Sequence, residues 1–319
     1  LQYSFNFNER NIEAIHQLTE EFNNLPQFTE GDRNNNGKGF IPFEDDFDIK
    51  FELKPVYDED EGPDNWFFRD ISISNNSLMA KRFRYEEYFE GKNEPQLREA
   101  DVFWIKPFDI LLMKGSEQAC KKIYPYLAEF TSTGFKKIKF DDKFLLWLSY
   151  KYEDDGKLSN DLTFNRMDKS RTQGTNTNEN DIQVREGEGR MIPVPTLYGL
   201  LNKQNLAHIG GDFKYKDIIT INAKLAADVT IFVYSSNNLS GKEYSEKCEL
   251  VFPFIIEIID VFNKWDSRDS DNNKFPPDEF FNSSIESFRI QMEYAIESIE
   301  ELKEKYRDLR EGTGVEDAP

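Results

Sequence analysis

The chain has 319 residues, of which 14% are aromatic and 31% are charged, and its formal net charge at pH 7 is −20. A chain of this length can bury a large core, and its aromatic content excludes wholesale disorder. The chain contains two histidines and two cysteines, which excludes a histidine-rich metal centre. We expect both cysteines to be free buried thiols in a reducing compartment.

The acidic residues are concentrated at the two ends of the chain. Residues 1–65 hold 16 Asp and Glu against 5 Lys and Arg, and residues 266–319 hold 15 against 7. Of the totals of 60 and 40, this leaves 29 against 28 for residues 66–265. Binding of nucleic acid through the charge of the whole chain is therefore disfavoured, but the neutral middle can still carry a local basic face.

Alternating and helical apolar patterns predict the elements of the first 130 residues. Tyr3, Phe5 and Phe7 alternate with polar residues, as in a half-buried strand, and the apolar residues from Ile12 to Phe22 keep helical spacing. On the same criteria we predict further strands at 48–55, 66–74, 77–88, 101–105 and 108–113, a second helix at 116–130, and a polar loop at 29–46.

A short lysine-rich strand at 135–140 is followed by the most apolar stretch of the middle region. Phe144, Trp147 and their apolar neighbours share one helical face, which predicts a core helix from residue 142 to residue 152. Asp141 or Asp142 is expected to cap the start of this helix. Gly156 suits the left-handed turn at its end.

The polar segment 156–190 has two interpretations, a mobile loop or a long hairpin between 158–167 and 182–184. Beyond it, β-branched and aromatic runs predict strands at 206–215, 217–225 and 229–234. We also predict a short helix at 195–201 and a bulge at Gly210-Gly211.

Residues after Ser240 show helical spacing. The segment 243–265 is apolar around Pro253, and residues 277–310 form a second helix in which the apolar positions are Phe281, Ile285, Phe288, Met292, Ala295, Ile296, Ile299, Leu302 and Tyr306. The elements together predict an α+β fold with a mixed, mostly antiparallel sheet, helices on one face and a C-terminal helical hairpin. We predict a sheet domain at 1–236, a helical region packed on it at 241–310, and a disordered tail at 311–319.

Asp32, Asn34 and Asn36 precede Gly37 with the spacing of the first half of a calcium-binding loop, in which oxygen ligands alternate ahead of a glycine. The twelfth position, where a bidentate acid is required, holds Phe43. A surface turn is therefore the favoured interpretation. A divalent-cation site at these three residues is the alternative, and no other cofactor is predicted.

Asp48, Glu52 and Lys54 have a nuclease-like spacing on a predicted strand. Two carboxylates on such a strand can hold metal ions while a lysine contacts the phosphate. The polar face of an ordinary strand gives the same pattern, so catalysis by these three residues is the weaker interpretation.

Basic residues recur in the neutral middle of the chain. If the fold brings them onto one face, the cations can contact phosphates while neighbouring aromatic side chains stack on bases. Ordinary solvated charges explain the same pattern. The members of this predicted nucleic-acid-binding face, within residues 81–171, are Lys81, Arg82, Arg84, Lys136, Lys137 and Lys139.

The sequence contains no phosphate-binding loop, dinucleotide fingerprint, nucleophile elbow or zinc-protease helix. Acidic flanks and aromatic-rich amphipathic helices suit a protein partner. Our leading hypothesis is thus a non-enzymatic interaction or regulatory protein, a subunit or accessory factor of a larger intracellular complex. A metal-dependent nuclease or hydrolase, or a nucleic-acid-binding protein, is the alternative. We expect a cytoplasmic location and no membrane contact, since no apolar run approaches the roughly 20 residues that cross a bilayer.

Overall fold

The structure is a computed structural model. It describes residues 3–7, 12–32, 35–43, 53–56, 67–70, 78–91, 94–108, 110–130, 135–173, 182–185, 196, 199–200, 204–227, 230–234, 239–268 and 274–310.

The N-terminal half builds a six-stranded antiparallel sheet. Its strands are β1 (Tyr3–Phe7), β2 (Lys38–Pro42), β5 (Leu78–Glu87), β6 (Gln96–Ile105), β7 (Ile110–Lys114) and β8 (Phe135–Lys137), in the spatial order β2-β5-β6-β7-β1-β8. Strands β3 (Leu53–Val56) and β4 (Phe67–Asp70) pair with each other in a separate ribbon.

Both faces of the six-stranded sheet are covered, which explains the unbroken apolar run at the end of β6. Helices α1 (Ile12–Asn23) and α2 (Glu117–Phe130) cover one face, where the ring of Trp104 lies 6.0 Å from that of Phe22. Phe103 points to the other face and meets Phe252, with ring centroids 4.9 Å apart. Because successive side chains on a strand alternate between faces, every position of this run is buried.

A second antiparallel sheet has the order β10-β9-β11-β12-β13. Its strands are β9 (Leu162–Gln173), β10 (Ile182–Arg185), β11 (Asn205–Tyr215), β12 (Ile219–Ala226) and β13 (Ile231–Val233). Its inner face stacks Phe164 on Phe213 at 4.4 Å, and helix α3 (Asp142–Asp154) adds Tyr152 at 5.2 Å from Phe164. The pairing of β9 with β10 makes the hairpin the correct interpretation of the segment 156–190, but the paired residues of the first strand are 169–172, beyond the predicted 158–167.

The bulge predicted at Gly210-Gly211 is confirmed, because the register of β11 against β9 shifts between these two residues. Gly211 has a φ of +159°, and a Cβ atom there would lie 1.8 Å from the carbonyl oxygen of Arg166. Only glycine lets the two strands approach this closely.

Two long helices follow the second sheet, α4 (Tyr244–Asp266) and α5 (Asp278–Arg310). Helix α4 is part of the core between the sheets, since Phe252 contacts Phe103 of the first sheet and Phe254 lies 5.5 Å from Phe213 of the second. The predicted α+β fold, with antiparallel strands and C-terminal helices, is confirmed. None of the helices in the described part of the chain is long and apolar enough to cross a membrane.

The prediction of a polar loop at 29–46 is wrong in one part, because β2 lies within it. Its Phe40 is buried against Phe83, with ring centroids 5.1 Å apart, and its backbone N–H donates to the carbonyl of Pro26. Two apolar residues beside a glycine gave too short an alternation to identify this edge strand.

Candidate interaction surface on the C-terminal helix

The residues of the predicted nuclease and calcium sites fall partly outside the described structure. Asp48, Glu52 and Asn34 belong to that undescribed part, and Lys54 lies on β3, opposite Arg69 of β4. Catalysis at Asp48, Glu52 and Lys54 therefore stays a prediction.

The turn that contains Asp32 is held by hydrogen bonds within the protein. The Asp32 carboxylate accepts from the backbone N–H of Asn35 at 2.9 Å. The buried carboxylate of Glu86 accepts from the N–H groups of Gly31, at 3.0 Å, and Gly37, at 2.9 Å. Asn36 is exposed. No local pattern indicated the role of Glu86, because its hydrogen-bond partners lie on a loop about 50 residues away in the chain.

The basic residues of β5 point to opposite faces of the first sheet. Arg82 and Arg84 lie on the face that α4 covers, and Lys81 lies on the other. Arg82 Nε donates to Asp101 at 2.7 Å, and Arg84 Nε donates to Glu99 at 2.7 Å. The hydrogen bond to Asp101 raises the pKa of the Arg82 guanidinium. Cross-strand carboxylates thus already occupy both arginines.

Asp101 also anchors the start of α4. The Tyr244 hydroxyl donates to the second Asp101 oxygen at 2.6 Å, and burial raises the pKa of this tyrosine. The ammonium of Lys114 lies 3.7 Å from the centroid of the Tyr244 ring and 3.8 Å from Asp101. This half-buried cluster joins a helix to the sheet, so Arg82 has a structural role.

The remaining basic residues lie far from β5. Lys136 and Lys137 are on β8, four strands away, which corresponds to about 19 Å across the sheet. Lys139 lines an open cleft of about 530 Å³, beside Asp141 and Asp142. The fold therefore distributes the six predicted nucleic-acid-binding residues over separate places.

The acids of this cleft serve the cap of α3. Asp141 accepts from the backbone N–H of Lys143 at 2.9 Å, which confirms the predicted N-cap. The hydrogen bond that the Asp142 carboxyl donates to the Asp141 carboxylate raises the pKa of Asp142. Gly156 has a φ of +75°, as predicted for the turn after the helix.

Helix α5 differs from every other described helix in its exposure. It has 33 residues, which corresponds to about 50 Å. Phe280 is buried and packs on Tyr150 at 5.6 Å, and Phe288 is half-buried against the core. From Met292 to Arg307, every side chain is exposed. The last turns of α5 therefore extend away from the body of the protein.

The exposed part of α5 carries an unbroken apolar seam. A seven-residue repeat, with positions a to g, places an apolar residue at each a and d position from Phe281 to Tyr306. These positions define the seam: Ile285, Met292, Ile299 and Tyr306 at a, and Phe281, Phe288, Ala295 and Leu302 at d. Apart from Phe288 and Ala295, the seam side chains are between 40% and 65% exposed. The sequence predicted these apolar positions, but it did not reveal that the fold leaves them uncovered.

No protein-family model matches the chain, and a search of curated proteins returned no similar sequence.

Proposed function

We propose that the protein is a non-enzymatic interaction protein, an accessory subunit of a larger intracellular complex, and that α5 is the element that docks it. The observation that carries this proposal is the seam on α5, which is exposed along at least 16 residues from Met292 to Arg307. Cys120 and Cys248 are buried thiols outside any disulfide, which suits the reducing cytoplasm that we assign to the protein.

The free energy gained by burying the exposed seam favours a partner for α5. Full burial of a Leu, Ile or Met side chain contributes about 1.5–3 kcal/mol. With roughly half of each seam residue exposed, pairing would add about 1 kcal/mol for each of several residues. Most of the stability of a helix in a protein also comes from packing of its apolar face against other elements. A partner helix on the seam would therefore both bury apolar surface and stabilise α5.

The test replaces two seam residues and two outer residues in parallel. Ile299→Glu with Leu302→Glu places charges in the seam, and Glu297→Ala with Glu304→Ala changes only f positions on the opposite side. Each variant is tagged, expressed in the native host and purified with its associated proteins.

We expect the parent chain and the outer-face variant to retain the same stoichiometric partner, and the seam variant to lose it while keeping its circular dichroism spectrum. A partner retained by all three, or a parent chain that stays monomeric and alone at micromolar concentration, would contradict the proposal.

A further inference from the structure

The seam of α5 is bordered by cations on both sides. Arg289, Lys303 and Arg310 occupy e positions, and Lys305 occupies a g position of the same repeat. None of the acidic residues of α5 falls at e or g. They lie instead at b, c and f, with Asp278 at the first a position. The helix therefore presents a basic border to a partner and an acidic surface to the solvent.

Side chains at e and g face the partner helix across a coiled-coil seam and decide which partner is accepted. Self-pairing of α5 brings like charges together. In a parallel pair, Lys305 of one copy lies beside Arg310 of the other, and in an antiparallel pair e faces e and g faces g. Neither arrangement places an acidic residue opposite the four cations. Like charges across an interface therefore disfavour the pairing of α5 with a second copy of itself.

A lipid surface fits the seam less well than a helix does. Apart from the a and d positions, the exposed apolar residues of α5 between Phe281 and Arg307 are Ile290, Tyr294 and Ile296. A strict a and d stripe is narrower than the face of a membrane-surface helix. The acidic outer face of α5 and the net charge of −20 also repel anionic lipid.

We infer that the seam of α5 pairs with an amphipathic helix of a different protein that carries acidic residues at its own e and g positions. This inference rests on the proposed function and names the chemistry of the partner. The cations fix both the choice of partner and the alignment of the two helices. Arg289 also pairs with Glu286, at a b position of the same helix, at 2.8 Å.

The test uses the full chain and two synthetic helical peptides, each about four heptads long. Both have isoleucine at a and leucine at d. One has glutamate at every e and g position, and the other has lysine. Binding is measured by isothermal titration calorimetry at low and at high salt. Vesicles of phosphatidylcholine with phosphatidylserine are the third probe.

We expect the glutamate peptide to bind at least about tenfold more tightly than the lysine peptide, since each exposed ion pair contributes a factor of about two. High salt should narrow this difference. Reversal of all four cations, R289E/K303E/K305E/R310E, should invert the preference. The matched variant E297K/E304K, at f positions, should leave it unchanged.

Three results would overturn the inference. The first two leave the proposed function intact, and the third contradicts it as well. A dimer of the parent chain in sedimentation, abolished by Ile299→Glu with Leu302→Glu, identifies a second copy as the partner and supports docking through α5. Equal binding of both peptides would show that the cations at e and g do not select an acidic partner helix. Vesicle binding without peptide binding denies the proposed function as well.

Discussion

Truncation of Leu302 to alanine tests whether α5 extends from the body. Truncation of a packed side chain on the same helix lowers the free energy of unfolding much more than truncation of an exposed one. Leu302 is 53% exposed and Phe280 is 5% exposed. Exposed substitutions of this kind change the free energy of unfolding by no more than about 0.5 kcal/mol. Phe280→Ala removes a ring that contacts Tyr150 at 5.6 Å and Phe281 at 5.3 Å, and we expect a loss of about 3–5 kcal/mol.

Urea unfolding followed by fluorescence gives both free energies. Measurements at two protein concentrations separate folding from association, because a partner copy stabilises the folded state in a concentration-dependent way. A loss above about 1.5 kcal/mol for Leu302→Ala that does not depend on concentration would show that Leu302 is packed on its own chain, and the case for a docking helix would fail.

Three further experiments, on Tyr244, Glu257 and Cys120, test the core and its charges. Tyr244→Phe should lower the free energy of unfolding by about 1.5–3 kcal/mol in urea, because it removes a hydrogen bond to the Asp101 carboxylate. Tyr294→Phe, on exposed α5, is the control and should change nothing. Burial raises the pKa of Glu257 above its ordinary value of 4.5. The folded state therefore loses stability as the pH rises from 4.5 through that raised pKa. Glu257→Gln should raise the melting temperature at pH 7, and the gain should vanish below pH 4; a gain independent of pH would refute this assignment. Burial also raises the pKa of the Cys120 thiol to about 12, so iodoacetamide at pH 8 should modify it, by mass spectrometry, only after unfolding. Rapid labelling of the native chain would contradict its burial.

Helix ends, the strand bulge and the long helices could be predicted because each depends on residues that are close together in the chain. The cap of α3 at Asp141 and the left-handed Gly156 follow from requirements of a helix end within a few residues. The bulge at Gly211 follows from a glycine between apolar residues in a strand. Periodicity likewise located both long C-terminal helices.

Pairings between distant strands could not be predicted in this way. Whether Arg82 is available for a phosphate depends on Asp101 lying opposite it, and this depends on the register of β5 against β6. Glu86 accepts hydrogen bonds from the turn at Gly31 and Gly37 because β5 lies beside β2, and no local sequence pattern predicts this pairing of strands. The separation of the predicted basic residues has the same origin, since the distance between β5 and β8 is set by the order of the whole sheet. Nucleic-acid binding by these residues stays a prediction.

The two C-terminal helices show how the pattern of apolar residues decides their roles. Helix α4 is apolar on most of its circumference, and the protein buries it between two sheets. A helix of that kind needs contacts on several sides. Helix α5 has a narrow seam, which one helix is wide enough to cover, and outside it the exposed surface from Phe281 onward is polar or charged apart from Ile290, Tyr294 and Ile296. The described sheets and helices cover the first turns of α5 only. Because its seam continues beyond the residues of α5 that pack on the described body, we expect the apolar residues from Met292 to Tyr306 to contact a surface outside the described fold.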